Sequence, residues 1–214
     1  MDEEILFSLG FSHCLGIGPV RFDALVREFG DLKKAYQAKE KELARVIGQN
    51  LAQKFVRFRA QFDPVKKRDE LEKKGIKIIP RSSSFYPSVL KNIPDPPICL
   101  YAKGNLTVFS PEKISSSPAD DSQKSLIEEA SRFFAIIGTR RPTSYGEQVA
   151  RKFAGELAGA GFIIVSGMAM GIDAAAHWGA LSAGGKTVAV LGCGVDIIYP
   201  SVNQSLYERI VKGN

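Results

Sequence analysis

The sequence predicts an α/β protein in which a small helical domain precedes a parallel, doubly wound sheet. Three continuous apolar runs, at residues 133–137, 162–165 and 187–191, show no alternation, which is typical of parallel strands buried on both faces by helices. Helical patterns separate these runs, and a glycine-bearing loop follows each of them. The preceding residues carry apolar side chains at helical spacing. We therefore expect a helical domain over 1–74 and an α/β domain over 75–214.

The N-terminal pattern predicts several short helices with a glycine-containing turn near its start. Proline directly after Gly16-Ile17-Gly18 suits a turn that leads into the first position of a helix. Glycines between two helices are typical of a helix-hairpin-helix, whose backbone amides approach a DNA phosphate, and also occur in helical protein-contact modules. We expect helices from about Ile5, over Val20–Phe29, Asp31–Ala38 and Glu42–Ile47, and over Leu51–Lys74 with a break at Asp63-Pro64.

The positive charge of the chain is concentrated in these helices. The net charge is +6, from 29 Lys and Arg against 23 Asp and Glu. Residues 33–77 hold fourteen basic and six acidic side chains, a balance of +8, so the remainder carries −2. A basic segment of this kind fits nucleic acid as a partner. A solvated helical face is the alternative.

Between the helices and the apolar runs, the chain is rich first in proline and then in polar residues. Short strands are predicted over Ile76–Pro80, as the entry into the second domain, and over Ile98–Ala102, because prolines enforce extended chain. Residues 110–131 are mostly Ser, Asp, Glu and Lys. This composition predicts a surface loop that carries no catalytic or binding residues, with a short helical stretch near 124–130.

The loop after the first apolar run carries the residues best suited to bind phosphate. Gly138-Thr139-Arg140-Arg141-Pro142-Thr143 stands between a predicted strand and a predicted helix. Ser144, with Glu147 three residues later, predicts a capping box at the start of that helix. Backbone N–H groups at a helix N-terminus, beside two arginines, favour an anionic ligand.

Two further glycine-bearing loops follow the next two runs. The second spans Ser166–Asp173, and Asp173 is expected to cap a helix over 174–183. The third begins at Gly192-Cys193-Gly194, before a last helix over 203–211. Because the carboxyl ends of parallel strands meet at one edge, where open α/β sheets bind ligands, the loops together predict a phosphate or nucleotide site. Glycines that only make tight turns are the alternative.

The sequence does not favour an enzyme or a metal centre. Cys14, Cys99 and Cys193 are far apart, and with only two histidines the chain lacks the usual ligands of a structural zinc site. We interpret His177 as a structural hydrogen-bonding residue and Cys193 as an inert thiol. The odd cysteine count, without a signal peptide or a membrane-length apolar run, predicts a cytoplasmic protein. We expect no cofactor.

Six segments occur together in a distinctive order: Tyr86-Pro87, Asp95-Pro96-Pro97, Leu100–Leu106, Gly138–Pro142, Ser166–His177 and Gly192–Asn203. In this order and spacing they resemble the DNA-processing protein family DprA, also called Smf. The resemblance implies a Rossmann-like domain, preceded by a helical domain similar to a sterile alpha motif or a helix-hairpin-helix.

The resemblance also implies a function. Members of that family bind single-stranded DNA, protect it during natural transformation, load the RecA recombinase onto it, act as homodimers and are not known for catalysis. Carried over to this chain, the phosphate contacts fall on Gly138, Thr139 and Arg140. The DNA-binding residues predicted in full are Gly138, Thr139, Arg140, Arg141, Thr143, Ser166, Gly167, Met168, Gly171, Lys186 and Gly192.

Two features differ from the family pattern. Members often carry a basic residue after the Tyr-Pro that ends the third loop, where this chain has Ser201. The family also continues beyond the position of Asn214, which predicts a C-terminally truncated member with an incomplete sheet. An alternative resemblance is to LOG-type nucleoside monophosphate phosphoribohydrolases, which hold a nucleotide at the same sheet edge. Their Pro-Gly-Gly-x-Gly-Thr-x-x-Glu motif would fall beyond Asn214.

Overall fold

The structure is a computed structural model that describes residues 2–109 and 133–213. Contacts between residues divide the chain into two units, 1–102 and 103–214. The surface loop predicted over 110–131 lies outside the described residues. No helix in the described ranges is both long enough and apolar enough to cross a membrane.

The first unit is built from short helices around an aromatic core. Asp31 caps the third helix by accepting from the Lys34 backbone N–H at 2.8 Å, and Asp63 caps the sixth, in which proline takes the first position. The rings of Phe11 and Phe55 stack with centroids 5.1 Å apart. The helices are α1 (Asp2–His13), α2 (Pro19–Phe29), α3 (Leu32–Gln37), α4 (Glu40–Ile47), α5 (Gln49–Gln61) and α6 (Pro64–Lys73).

A two-stranded antiparallel sheet completes this unit. It pairs β1 (Lys77–Pro80) with β2 (Cys99–Ala102), and the short helix α7 (Ser88–Lys91) lies between them in the chain. The Tyr101 hydroxyl of β2 is 2.7 Å from the Ser12 hydroxyl of α1. Because the sheet packs on α1, contacts assign it to the first unit, whereas the sequence placed it at the start of the second domain.

The second unit contains a parallel sheet with alternating helices, and the predicted α/β class is confirmed. The strand order is β3-β4-β5, and both pairs are parallel. A 3-10 turn over Leu106–Phe109 comes before the sheet, and another over Ser201–Asn203 comes after it. The remaining elements are β3 (Phe133–Ala135), α8 (Ser144–Gly159), β4 (Ile163–Ser166), α9 (Ile172–Ser182), β5 (Thr187–Ala189) and α10 (Gln204–Lys212).

Both crossover helices of this sheet lie on the same face. Small residues of α8 and α9 share one buried cluster with Ile164 of β4: Ala154, Ala158, Ala176 and Ala180. Gly179 allows the close approach, because a Cβ at this position would overlap with the backbone of Arg151. Strands in chain order with right-handed crossovers place consecutive helices on one side of a sheet.

This arrangement corrects the expectation that the first run is buried on both faces. β3 stands at the edge of the described sheet, with Phe133 only partly buried and Ala135 exposed. Phe134 is 44% exposed, and Ile137, just beyond the strand, is 77% exposed. A continuous apolar run predicts the strand here but does not predict its position in the sheet.

The two predicted helix caps are also corrected. Thr143, not Ser144, is the N-cap of α8: its hydroxyl oxygen accepts from the Gly146 backbone N–H at 3.1 Å, and its backbone is extended. α9 begins two residues earlier than expected, with Gly171 at its N-cap, so Asp173 lies inside the first turn. The carboxylate of Asp173 binds the preceding loop instead.

Candidate nucleic-acid interface

Three loops meet at the carboxyl edge of the parallel sheet. The first loop (residues 136–143) follows β3, the second (167–171) follows β4, and the third (190–200) follows β5. Parallel pairing brings the ends of these strands together, so the loops are neighbours although they are far apart in sequence. We call this surface the loop edge.

The first and second loops are joined through their backbones. The Ile172 N–H donates to the Thr139 carbonyl oxygen at 3.2 Å. Gly171 has a φ of 80° and a ψ of −126°, a conformation that only glycine adopts readily. A Cβ at Gly171 would overlap with the Thr139 carbonyl oxygen and lie 2.8 Å from the Arg140 carbonyl carbon. The contact between the two loops therefore requires glycine at position 171.

Asp173 shapes the second loop from within α9. One of its carboxylate oxygens accepts from the backbone N–H groups of Gly167 and Ala169, each at 3.2 Å. Met168 between them is buried and has a φ of 62°, which is uncommon for a residue other than glycine. The Ser166 hydroxyl donates to the Ile136 carbonyl oxygen at 2.6 Å and is likewise buried.

Asn203 fixes the end of the third loop on the second loop. Its buried side-chain amide donates to the Met168 carbonyl oxygen at 2.8 Å and to the Ala169 carbonyl oxygen at 3.2 Å. The Tyr207 hydroxyl donates to the Val195 carbonyl oxygen at 2.6 Å. In the sequence, Asn203 is the last residue of one of the six distinctive segments, and no role was predicted for it. An asparagine at the start of the last predicted helix was the available signal.

Arg140 and Arg141 are exposed on the first loop and are not engaged in the fold. Among the described residues, neither guanidinium group has a hydrogen-bond or ion-pair partner. The Arg141 backbone N–H donates to the Thr139 hydroxyl at 3.2 Å, which braces the loop between them. Arg81 in the first unit shows the contrast: its guanidinium pairs with Asp23 and donates to the Pro97 carbonyl oxygen at 2.9 Å. The two loop arginines remain available for an external anion.

The structure brings most of the predicted site residues together. Ser166 and Met168 belong to the loop edge but are buried, so their side chains shape the second loop and do not face solvent. Lys186 precedes β5 and therefore lies at the opposite, amino edge of the sheet. The predicted residues that are exposed or partly exposed on the loop edge are Gly138, Thr139, Arg140, Arg141, Thr143, Gly167, Gly171 and Gly192.

His177 is a buried structural group behind the second loop. It is 0% exposed, and its Nδ1 lies 2.7 Å from the Thr187 hydroxyl oxygen. That hydroxyl donates to the Ile164 carbonyl oxygen at 2.7 Å, so Nδ1 carries the proton and donates to it. Burial lowers the pKa of His177 from 6.5 to about 4, although Asp173 acts in the opposite direction.

The buried histidine predicts a loss of stability in acid. Between pH 6.5 and pH 4 the unfolded chain gains a proton at position 177 while the native state does not, so the free energy of unfolding falls by roughly 3 kcal/mol from this group. His177→Asn retains a donor for Thr187 without titrating. We expect the wild type to lose roughly 3 kcal/mol more than this variant between pH 7 and pH 4 in urea unfolding. Parallel pH profiles for the two proteins would contradict this.

The described residues show no group of three or more His, Cys, Asp or Glu side chains placed to hold a metal ion. The three cysteines are free thiols. Cys193, on the third loop, is partly exposed, and its sulfur lies 3.6 Å from the Ile197 carbonyl oxygen. The loop edge therefore offers backbone amides, hydroxyls and guanidinium groups, which is the chemistry of phosphate binding.

Comparison with known proteins identifies the family. The family described as DNA recombination-mediator protein A matches residues 123–214. Protein Smf of Synechocystis is 34% identical over 211 residues, which cover 98% of this chain and 49% of that protein. The chain belongs to the DprA/Smf family. The DNA processing protein DprA of Bacillus subtilis is 38% identical over 138 residues, which cover 64% of this chain and 40% of that protein.

A solved structure supports the same assignment. The X-ray structure of DprA from Streptococcus pneumoniae aligns with a TM-score of 0.71 at 25% identity and covers 97% of this chain and 64% of that one. The Rossmann-like fold expected from the family is thereby confirmed. The chain spans about half the length of the Smf relative from Synechocystis and two fifths of the DprA relative from Bacillus subtilis.

Proposed function

We propose that the chain binds single-stranded DNA at the loop edge, by its phosphates, and that it does so without catalysing a reaction. The observation that carries this proposal is the pair of exposed guanidinium groups of Arg140 and Arg141 on a braced loop, which have no partner within 2–109 and 133–213. A guanidinium group binds a phosphate through two parallel hydrogen bonds. Membership in a family of DNA-processing proteins supports DNA as the source of that phosphate.

The shape of the loop edge favours a flexible strand. Gly138, Gly167 and Gly192 are exposed at three points along this edge, one on each loop. A strand whose backbone turns freely can present successive phosphates to these points, whereas a duplex holds them at fixed spacing. We expect binding with little sequence selectivity and with a strong dependence on salt.

Fluorescence anisotropy with a labelled 20-mer of thymidine tests this proposal. The affinity is expected to fall linearly with salt on a log–log scale, with a slope of about −0.7 for each phosphate contacted. A duplex of the same length serves as the competitor and is expected to displace the single strand poorly. Equal affinity for duplex and single strand, or binding that salt does not weaken, would contradict it.

We further propose that the complete protein protects incoming DNA in the cytoplasm during natural transformation, acts as a homodimer and loads the RecA recombinase. Family membership alone supports these roles. RecA loading is measured by the ATPase activity of RecA on single strands already coated with a single-strand-binding protein. Addition of the complete protein is expected to shorten the lag before ATP hydrolysis, and an unchanged lag would contradict loading.

A further inference from the structure

The tyrosines of the chain fall into two groups by exposure. Four of the six are buried or partly buried within the fold: Tyr36 and Tyr86 are buried, and Tyr101 and Tyr207 use their hydroxyls in hydrogen bonds to Ser12 and Val195. The remaining two, Tyr145 and Tyr199, are 77% and 67% exposed: Tyr145 lies in the first turn of α8, directly after the first loop, and Tyr199 lies on the third loop.

Tyr145 follows the two loop arginines in the chain, four residues after Arg141. It lies in the first turn of α8, two residues after the N-cap Thr143, whose hydroxyl holds the start of the helix. Its backbone is therefore fixed, while its ring contacts no other aromatic ring or cation among the described residues. A rigid, amphipathic ring that the fold does not use is suited to an external planar partner.

Tyr199 lies on the third loop, and the second loop comes between this loop and the first because β4 lies between β3 and β5. It precedes the 3-10 turn Ser201–Asn203, and Asn203 is tied to the second loop through the carbonyl oxygens of Met168 and Ala169. The loop edge thus runs from one exposed tyrosine to the other, with the second loop between them.

We infer that Tyr145 and Tyr199 are stacking platforms for the bases of the bound strand, so that the protein contacts the bases as well as the phosphates. This inference rests on the proposed function. Every base has a π-face, so stacking on tyrosine adds affinity without sequence selectivity. Phosphate contacts by Arg140 and Arg141 set the position of the strand, and the two rings then select a nucleic acid whose bases are unpaired.

An abasic oligonucleotide separates the two contributions. A 12-mer of thymidine and a 12-mer of the same sugar-phosphate backbone without bases present identical charge. Phosphate binding alone predicts equal affinities, whereas stacking predicts that the thymidine strand binds at least fivefold more tightly. In the double variant Tyr145→Leu/Tyr199→Leu, which keeps apolar side chains but no ring, the two affinities are expected to become equal.

The controls keep the result interpretable. The pair Tyr145→Phe/Tyr199→Phe keeps both rings and is expected to keep the preference for thymidine. Phe153→Leu removes another exposed ring of α8, eight residues further along the helix, and is also expected to leave the preference unchanged. Because the three side chains are exposed, these variants should fold normally.

Two results would overturn the inference. Equal affinity of the wild type for both strands would remove base stacking and leave phosphate binding in place. A preference for thymidine that survives in the Leu double variant would assign it to other residues. If neither strand binds, the proposed function fails together with the inference.

Discussion

Replacing Arg140 and Arg141 together by alanine is expected to weaken binding of oligo(dT) about a hundredfold at moderate salt. A hydrogen bond to a charged group contributes about 1.5–3 kcal/mol, and about 1.4 kcal/mol corresponds to a tenfold change in affinity. Neither guanidinium group has another partner among the described residues, so their removal leaves no buried group unsatisfied. The stability of the fold should therefore be unchanged.

The salt dependence distinguishes lost contacts from a general loss of charge. Each phosphate contact removed should make the log–log slope shallower by about 0.7. Arg209→Ala/Lys212→Ala removes the same charge from the exposed end of α10, roughly 8 and 12 Å along the helix from its start at Gln204. This control should bind within about twofold of the wild type, since exposed charges beyond a Debye length are screened. Equal losses in both double variants would show that only net charge matters.

Gly171→Ala is expected to separate the first two loops and to abolish most of the DNA affinity. The added Cβ would overlap with the Thr139 carbonyl oxygen, and the φ of 80° is strained for any residue with a side chain. The two atoms nearest to the added Cβ belong to the backbone of the first loop, so no flexible side chain is there to move aside. We expect a loss of about 2–4 kcal/mol in the free energy of unfolding and at least a tenfold loss of affinity.

A matched glycine controls for this substitution. Gly159 ends α8, has no atom of another residue within 4 Å of an added Cβ, and does not have a positive φ. Gly159→Ala should therefore keep both stability and affinity. Urea unfolding and anisotropy on the same preparations measure both quantities. Wild-type affinity in Gly171→Ala would show that the contact between the first and second loops is not needed for the site.

The sheet and its loops could be predicted from local pattern alone. Continuous apolar runs, helical spacing and glycines after each strand are properties of short segments, and parallel pairing then places the loops at one edge. The predicted strands at Phe162–Val165 and Thr187–Leu191 lie within two residues of the observed ones. The N-cap of α8 was misplaced by one residue because Thr143 and Ser144 are adjacent hydroxyl residues that suit the cap equally well.

The contacts that hold the site together could not be predicted in the same way. Asn203 reaches the second loop across 34 and 35 residues of sequence, and no local pattern encodes that pairing. Asp173 was expected to cap its own helix, but its carboxylate accepts hydrogen bonds from backbone N–H groups of the loop before that helix. Lys186 was predicted with the other site residues, although it precedes β5 and so lies at the amino edge of the sheet, opposite the loop edge.

The location of bound DNA is the most direct test, because charge and geometry favour different places. The first unit carries a net charge of +5 and the second only +1, so nonspecific attraction alone would draw DNA to the helices. Backbone amide shifts measured by NMR on titration with a thymidine hexamer distinguish the two. We expect the largest changes at Gly138–Thr143, Gly167–Gly171 and Gly192–Gly194. Changes confined to residues 33–77 would contradict a site at the loop edge.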